Sequence, residues 1–234
     1  MLLFISGCYS IVARKEFKAK LKTCYSGEES LSGNEKIDLN GYYLMFVKGD
    51  FSSGPPNTPY YKTYDSLPHN IFFFKDGIYL EDFHILLDDN PANVQNYFNN
   101  IYEANVDTVT SKFHATYWGS YKIVGDTIIV QYFFIGSLNA GWFGWNIWYK
   151  IIDKQTIKLI FAYPLREDIS ERELQVLNFN TNRFSTGKLV PLEKLPSSDS
   201  WLKKEKWFWC DENQWRAYME SNGYKIKRKD RLKK

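Results

Sequence analysis

Tyr117-Trp118-Gly119-Ser120-Tyr121-Lys122-Ile123-Val124-Gly125-Asp126-Thr127-Ile128-Ile129-Val130-Gln131-Tyr132-Phe133-Phe134 is an apolar-rich run broken once, at Gly125-Asp126. The residues on either side are mostly β-branched or aromatic, types that suit a pleated, half-buried surface. A short Gly/Asp break between two such runs predicts a tight β-hairpin. Neighbouring stretches repeat the pattern. Trp142 to Ile152 turns at Asp153-Lys154-Gln155 into Thr156 to Ala162, and Leu174 to Asn180 turns at Thr181-Asn182 into Arg183 to Val190. Upstream, Ile71 to Leu80 is interrupted by Asp76-Gly77, which predicts a type I′ turn with φ > 0 at both central residues. With Gly41 to Val47 as a first strand, about nine strands follow one another in sequence order. Such a meander closes into an antiparallel up-and-down barrel, which removes exposed strand edges.

Between the first strands, residues 49–70 hold four of the eight prolines and read as a long surface loop. Two helices complete the picture. Asn90 caps an inserted helix whose Val94, Tyr97, Phe98, Ile101 and Tyr102 share a face, with Pro91 in its first turn. A C-terminal helix starts at Asp211, with Gln214 placed as in a capping box, Trp215, Tyr218 and Met219 on one face, and Gly223 at its end. The fold class is therefore mainly β, a barrel of about 8–9 strands with one inserted and one C-terminal helix.

Alternation decides which side chains point into the barrel. From Trp142 to Ile152, Phe143, Trp145, Ile147, Tyr149 and Ile151 form a uniformly apolar face. On the preceding strand Ile128, Val130, Tyr132 and Phe134 form the more apolar set. Tyr132, Phe134, Trp145 and Tyr149 are thus the candidate lining of a ligand pocket, with a filled aromatic core as the other reading. Trp142 and Trp148 fall on the opposite face, where exposed aromatics mark a partner surface.

The early Gly41-Tyr42-Tyr43, the meander and the late helix resemble the lipocalin-like group of β-barrels. The stretch Gly119 to Ile128 and the closing Ser200-Trp201-Leu202-Lys203-Lys204 with Trp207-Phe208-Trp209 are similar to phrases in bacterial lipoproteins of that group. The resemblance covers roughly residues 40–210. It implies a barrel that binds an apolar small molecule or lipid.

The N-terminal Leu3-Phe4-Ile5-Ser6-Gly7-Cys8 resembles the lipobox of bacterial lipoproteins. That implies a lipidated Cys8 (palmitate among its acyl chains), an exported chain, and a tether to a membrane of the bacterial cell envelope. Residues 1–8 then read as a truncated-looking lipoprotein signal. Residues 9–36, polar and rich in Lys, Gly and Ser, read as a linker holding the domain off the bilayer. Residues 37–224 are the barrel domain with its C-terminal helix. Residues 225–234 are a basic tail carrying seven bases and one acid, which outweighs the chain's net charge of +3 and leaves the rest acidic. A frayed, solvated C-terminus or a contact with anionic lipid accounts for such a tail, and nucleic acid is not the expected partner.

With Cys8 acylated, Cys24 and Cys210 remain as a pair in an oxidising compartment, either bridged or as two free thiols. No CxxC spacing or His cluster signals a metal. The cluster Glu81-Asp82-Phe83-His84 offers a carboxylate and an imidazole, and in a strand Asp82 and His84 would share a face near Asp88-Asp89, but the reading taken is a solvated loop after the hairpin. No phosphate loop, HExxH or GxSxG motif appears. The expectation is a non-enzymatic, membrane-anchored binder of an apolar small molecule or lipid, without cofactor. The alternative is a filled barrel that contacts an envelope protein.

Overall fold

The computed structural model describes residues 24–27, 34–53, 62–82, 116–135, 142–165 and 181–226. Eight antiparallel strands form a closed barrel in sequence order: β1 (Gly41–Ser53), β2 (Lys62–Phe73), β3 (Ile78–Asp82), β4 (Thr116–Val124), β5 (Thr127–Ile135), β6 (Trp142–Asp153), β7 (Thr156–Pro164) and β8 (Gly187–Pro191). The mainly β, antiparallel up-and-down barrel expected from the hairpins is what the chain adopts, and it is consistent with the lipocalin-like resemblance. One helix, α1 (Glu212–Ser221), follows the barrel. The expected helix from Asn90 and the expected strand from Leu174 to Asn180 lie outside the described residues.

Three details depart from the sequence reading. The loop assigned to residues 49–70 is shorter, because β1 runs on to Ser53 and β2 begins at Lys62. Pro68 sits inside β2 opposite Phe46, whose amide donates to Ser185 Oγ and whose carbonyl accepts from the Ser185 amide. Phe46 thus bonds away from β2, and Pro68 faces the β3 side beyond the last β2–β3 rung, Asn70↔Asp82. Its missing donor therefore costs no ladder bond. The turn at Asp76-Gly77 also differs. The Phe74 amide bonds to the Ile78 carbonyl and the Gly77 amide to the Phe74 carbonyl, enclosing Lys75-Asp76-Gly77, with Gly77 at φ +86°. This is a three-residue hairpin loop with a left-handed glycine instead of a two-residue type I′ turn. Thirdly, part of the expected linker is packed structure: the Tyr25 amide bonds to the Phe208 carbonyl, the Cys210 amide to the Tyr25 carbonyl, and Tyr25 is buried.

Two cores result. Inside the barrel are Tyr43, Met45, Ile71, Phe73, Tyr79, Tyr121, Ile128, Val130, Tyr132, Ile147, Tyr149 and Leu159. Residues of the segment before β1 close one end: Ile37 and Leu39 are buried in this core, and the Asp38 amide bonds to the Lys154 carbonyl. The tight turns β2–β3, β4–β5 and β6–β7 all lie at that end, and the connections through 54–61, 83–115, 136–141 and 166–180 leave from the other.

A second core covers the outer faces of β1–β3 and those of β4 and β5 around Trp118 and Phe133. There Tyr42, Phe72, Ile78, Leu80, Trp118 and Phe133 pack against Leu202, Phe208, Trp209, Trp215 and Met219. The C-terminal segment that supplies this cover is a strap built from local signals. Ser200 caps a 3-10 turn over Trp201–Lys204. The Asp211 side chain caps α1 at the Asn213 amide. At the helix end the Tyr224 amide reaches the Met219 carbonyl and the Gly223 amide the Glu220 carbonyl, with Gly223 at φ +67°, a Schellman stop.

Two ties hold the strap down. Cys24 and Cys210 form a disulfide, with Cα atoms 4.9 Å apart and a sequence separation of 186. Asp76, in the β2–β3 turn, accepts from Lys203 Nζ at 2.7 Å and Ser198 Oγ at 2.8 Å on one carboxylate oxygen, and Lys203 is buried. Closing so long a loop removes roughly 4–5 kcal/mol of conformational freedom from the unfolded chain. The Cys24→Ser/Cys210→Ser variant is expected to fold into the same barrel but to unfold at clearly lower denaturant, its free energy of unfolding being lower by about that amount. An unchanged denaturation midpoint in non-reducing buffer would contradict the assignment.

Candidate functional site

The barrel interior is not uniformly apolar. Glu81 on β3 and His69 on β2 both point inward and are buried. His69 Nδ1 lies 2.9 Å from Glu81 Oε1, and the Tyr79 hydroxyl donates to Glu81 Oε2 at 2.7 Å. The Tyr79 and Tyr149 hydroxyls are 3.1 Å apart, which extends the chain across the barrel from β3 to β6. With Tyr79 donating to Glu81, Tyr149 is the donor to Tyr79. This places a carboxylate, an imidazole and two phenols in one connected network within an aromatic shell.

The hairpin register builds the site. Ile71 lies opposite Glu81 and Phe73 opposite Tyr79, so His69 and Glu81 are diagonal neighbours on one face. A two-residue turn at Asp76-Gly77 would shift the pairing by one and flip one strand's side chains to the other face. The three-residue loop is therefore what brings His69 and Glu81 together. Sequence reading takes Glu81-Asp82-Phe83-His84 for a solvated loop after the hairpin, whereas Glu81 and Asp82 belong to β3 and Glu81 is buried. His84 lies outside the described residues, and Asp82 ends β3 opposite Asn70 and Thr116. The missed partner, His69, was within reach of sequence reasoning had the loop length been read correctly.

Above the network, toward the end with the long connections, lies a shelf of rings. Tyr132 stacks on Tyr79, centroids 6.1 Å apart, and on Tyr117 at 5.3 Å. Trp145 stands opposite Tyr132 on β6, half-buried against the inner core. Gly119, between Tyr117 and Tyr121 on β4, faces Tyr132 in register, and a side chain there would collide with the β5 backbone, Gln131 O being 2.1 Å from its Cβ position. Below the network the space is filled: Phe73 packs edge-on to Tyr121 at 4.9 Å and to Tyr149 at 6.1 Å. Of the four expected lining residues, Tyr132, Trp145 and Tyr149 are inward-facing. Phe134 pairs with Phe143 in the β5–β6 register, and its side chain lies outside the described residues. Tyr149 belongs to the filled part and to the hydrogen-bond network, whereas Tyr132 and Trp145 belong to the shelf. Cys24 and Cys210 are joined, and Cys8 lies outside the described residues. Among the described residues no three or more His, Cys, Asp or Glu converge as a metal site.

Burial sets the electrostatics of the interior. Loss of water around the phenols pushes Tyr79, Tyr132 and Tyr149 well above their ordinary range, and the nearby Glu81 carboxylate raises each further. Burial also raises Tyr43 and Tyr121. These hydroxyls stay protonated at any physiological pH, so they act as neutral donors and acceptors.

Compared with known proteins, the chain matches no family model, no curated protein and no solved structure.

The raised phenols give a signed pH dependence. In the unfolded chain tyrosine ionises near pH 10, whereas in the folded barrel these phenols ionise at higher pH. The stability they contribute is complete below about pH 10 and is lost as pH rises above it, because the unfolded state then binds fewer protons. Tyrosinate absorbance is expected to appear in two stages, exposed phenols first and the buried set only together with loss of near-ultraviolet dichroism. A single smooth titration of all tyrosines in the folded protein would contradict this assignment.

Proposed function

We propose that the chain is an exported, lipid-anchored barrel of the bacterial cell envelope that binds an apolar small molecule or lipid without altering it chemically. The observation that carries the binding reading is the interior polar network lying beneath an aromatic shelf. Binding sites are mostly apolar with a few convergent polar groups, and His69–Glu81–Tyr79 beneath Tyr132, Tyr117 and Trp145 has that composition. The shelf suits a flat ring or an acyl chain, and the network suits a polar end group carrying a donor. The lipobox-like Leu3 to Cys8 supports the anchor. The Cys24–Cys210 bridge supports an oxidising compartment, because such bonds are kept reduced in most cytosols.

A second reading, a filled-barrel module that contacts an envelope protein, is favoured by one specific observation. The half of the barrel near the tight turns is occupied by its own side chains, from Tyr43 and Phe73 to Ile128 and Tyr149. An eight-stranded barrel has room for either side chains or one small ligand.

Two measurements separate the readings. Intact mass spectrometry of the protein taken from its native membrane should show an acylated N-terminal Cys8. An unmodified Met1 start would remove the anchor. For the barrel, the probe N-phenyl-1-naphthylamine should bind saturably and be displaced by fatty acid or phospholipid. Trp145→Ala should weaken it about tenfold, the cost of truncating one good aromatic anchor, with the thermal transition retained. A folded protein that takes up no probe excludes the binder and leaves the filled module.

A further inference from the structure

The strap covers the outer faces of β1–β3 and those of β4 and β5 around Trp118 and Phe133, and the flank formed by β6, β7 and the adjacent turns carries a different surface. All four large apolar side chains that stand exposed among the described residues are there: Val124 (54% exposed) at the end of β4, Trp148 (36%) and Ile152 (53%) on β6, and Ile160 (38%) on β7. Singly such residues are unremarkable, but together they mark a surface with a partner. The register step between Trp148↔Phe161 and Tyr149↔Leu159 leaves Ile160 unpaired as a bulge, so Ile160 and Phe161 emerge together. Trp148, Phe161 and Tyr163 form a continuous outer rail, with centroids 5.4 and 5.1 Å apart.

The charges around this rail are mainly positive. Lys150 and Lys158 are directly opposite one another on β6 and β7, an arrangement that costs stability in a free sheet. Lys122 lies on the outer face of β4, across β5 from Trp148 in register through Ile129, and Lys154 lies in the β6–β7 turn. Four carboxylates accompany them. Glu35 and Asp38 line a cleft with Lys154, and they are offset by Lys36, whose Nζ donates to the Gly125 carbonyl, and by Lys188 near Asp153. Asp126 sits 3.6 Å from Lys150, both side chains being more than half exposed, and Asp153 accepts from the Gln155 amide. Exposed pairs of that kind are weak. The balance on the flank is therefore positive, with a Trp and Ile residues standing between long Lys side chains. Aromatic rings and Lys side chains with buried stems are what the interface of a bilayer accommodates.

We propose that the outer face of β6–β7 is a docking surface for an anionic phospholipid bilayer, with Trp148, Ile152 and Ile160 entering the headgroup region and Lys122, Lys150, Lys154 and Lys158 meeting lipid phosphates. The complementary charge and the apolar residues framed by it fix the occupant. In its biological setting the proposal rests on the membrane location proposed above, but the surface acts without the acyl chain and is testable without it.

The test uses the full chain carrying Cys8→Ser, so that no lipid anchor contributes. Binding is measured by flotation with vesicles of phosphatidylcholine alone and of phosphatidylcholine with phosphatidylglycerol. The expected result is binding only to the anionic vesicles. Each lysine at such a surface contributes roughly a factor of five, so Lys150→Gln/Lys158→Gln should weaken binding about 25-fold. Brominated phosphatidylglycerol should quench the wild-type fluorescence, and Trp148→Phe should remove that quenching while binding persists. A control with Lys227, Lys229, Lys233 and Lys234 replaced by Ser separates the basic tail. Loss of binding in that control, with Lys150→Gln/Lys158→Gln unaffected, overturns the proposal in favour of the tail. Equal binding to both vesicle types overturns it as well. So does a concentration-dependent dimer that Trp148→Ser abolishes and that shows no vesicle binding, since the flank would then meet a second copy. Cys8 acylation is read separately by mass, so loss of the anchor and failure of this surface are distinguishable.

Discussion

Burial of β2 on both of its faces is the constraint on which the rest of the structure depends. Phe72, Phe73 and Phe74 follow one another in sequence and all are buried, Phe73 inside the barrel and its two neighbours outside it. A barrel wall facing water would leave Phe72 and Phe74 exposed, together with Tyr42, Leu80 and Trp118. Each such side chain is worth about 1.5–3 kcal/mol when buried. The strap, the disulfide and the Asp76–Lys203 clasp keep that surface covered. Asp76 is well placed for this, because the turn that sets the hairpin register also receives Lys203 and Ser198 from the strap. Register, outer core and chain ends are coupled through one carboxylate.

The interior polar network adds a different kind of constraint. A buried carboxylate is tolerated only with partners, and Glu81 has His69 on one oxygen and Tyr79 on the other. Leaving a buried polar group without its partner costs about 1–3 kcal/mol, whereas a well-packed apolar replacement of the whole group can be neutral. A network of this kind is weak as a source of stability. It restricts the orientation of Tyr79 and Tyr149, which in turn fixes where Tyr132 stacks. The aromatic shelf inherits its geometry from hydrogen bonds deeper in the barrel.

The strand order, the hairpins at Gly125-Asp126 and Asp153-Lys154-Gln155, and the inward faces of β5 and β6 were legible in the sequence, since alternation and turn residues report them directly. So was the terminal helix, through Asp211 and Gly223. Three things were hidden, each for a physical reason. Pro68 argued against a strand, but its missing donor faces a side where β3 has already ended. Gly77 signalled a turn without giving its length, and one residue of difference decides whether Glu81 meets His69. Tyr25 lies in a stretch of polar composition, and only its long-range contacts with Phe208 and Trp209 show that it belongs to the outer core. The apolar outer positions on β1–β5 were ambiguous for the same reason, as nothing local says that a strap will cover them.

The bridge between Cys24 and Cys210 also dictates an order of events. Its two halves are 186 positions apart, so during synthesis the first cysteine waits as a free thiol until all eight strands have been made. The last strand to be made, β8, is also the one that closes the barrel against β1. Long-range pairings of this kind form slowly. Cys24 is therefore exposed to wrong partners for the whole of that interval. A cell that makes this protein needs either barrel closure that is fast relative to thiol oxidation or an enzyme that reshuffles bonds made too early.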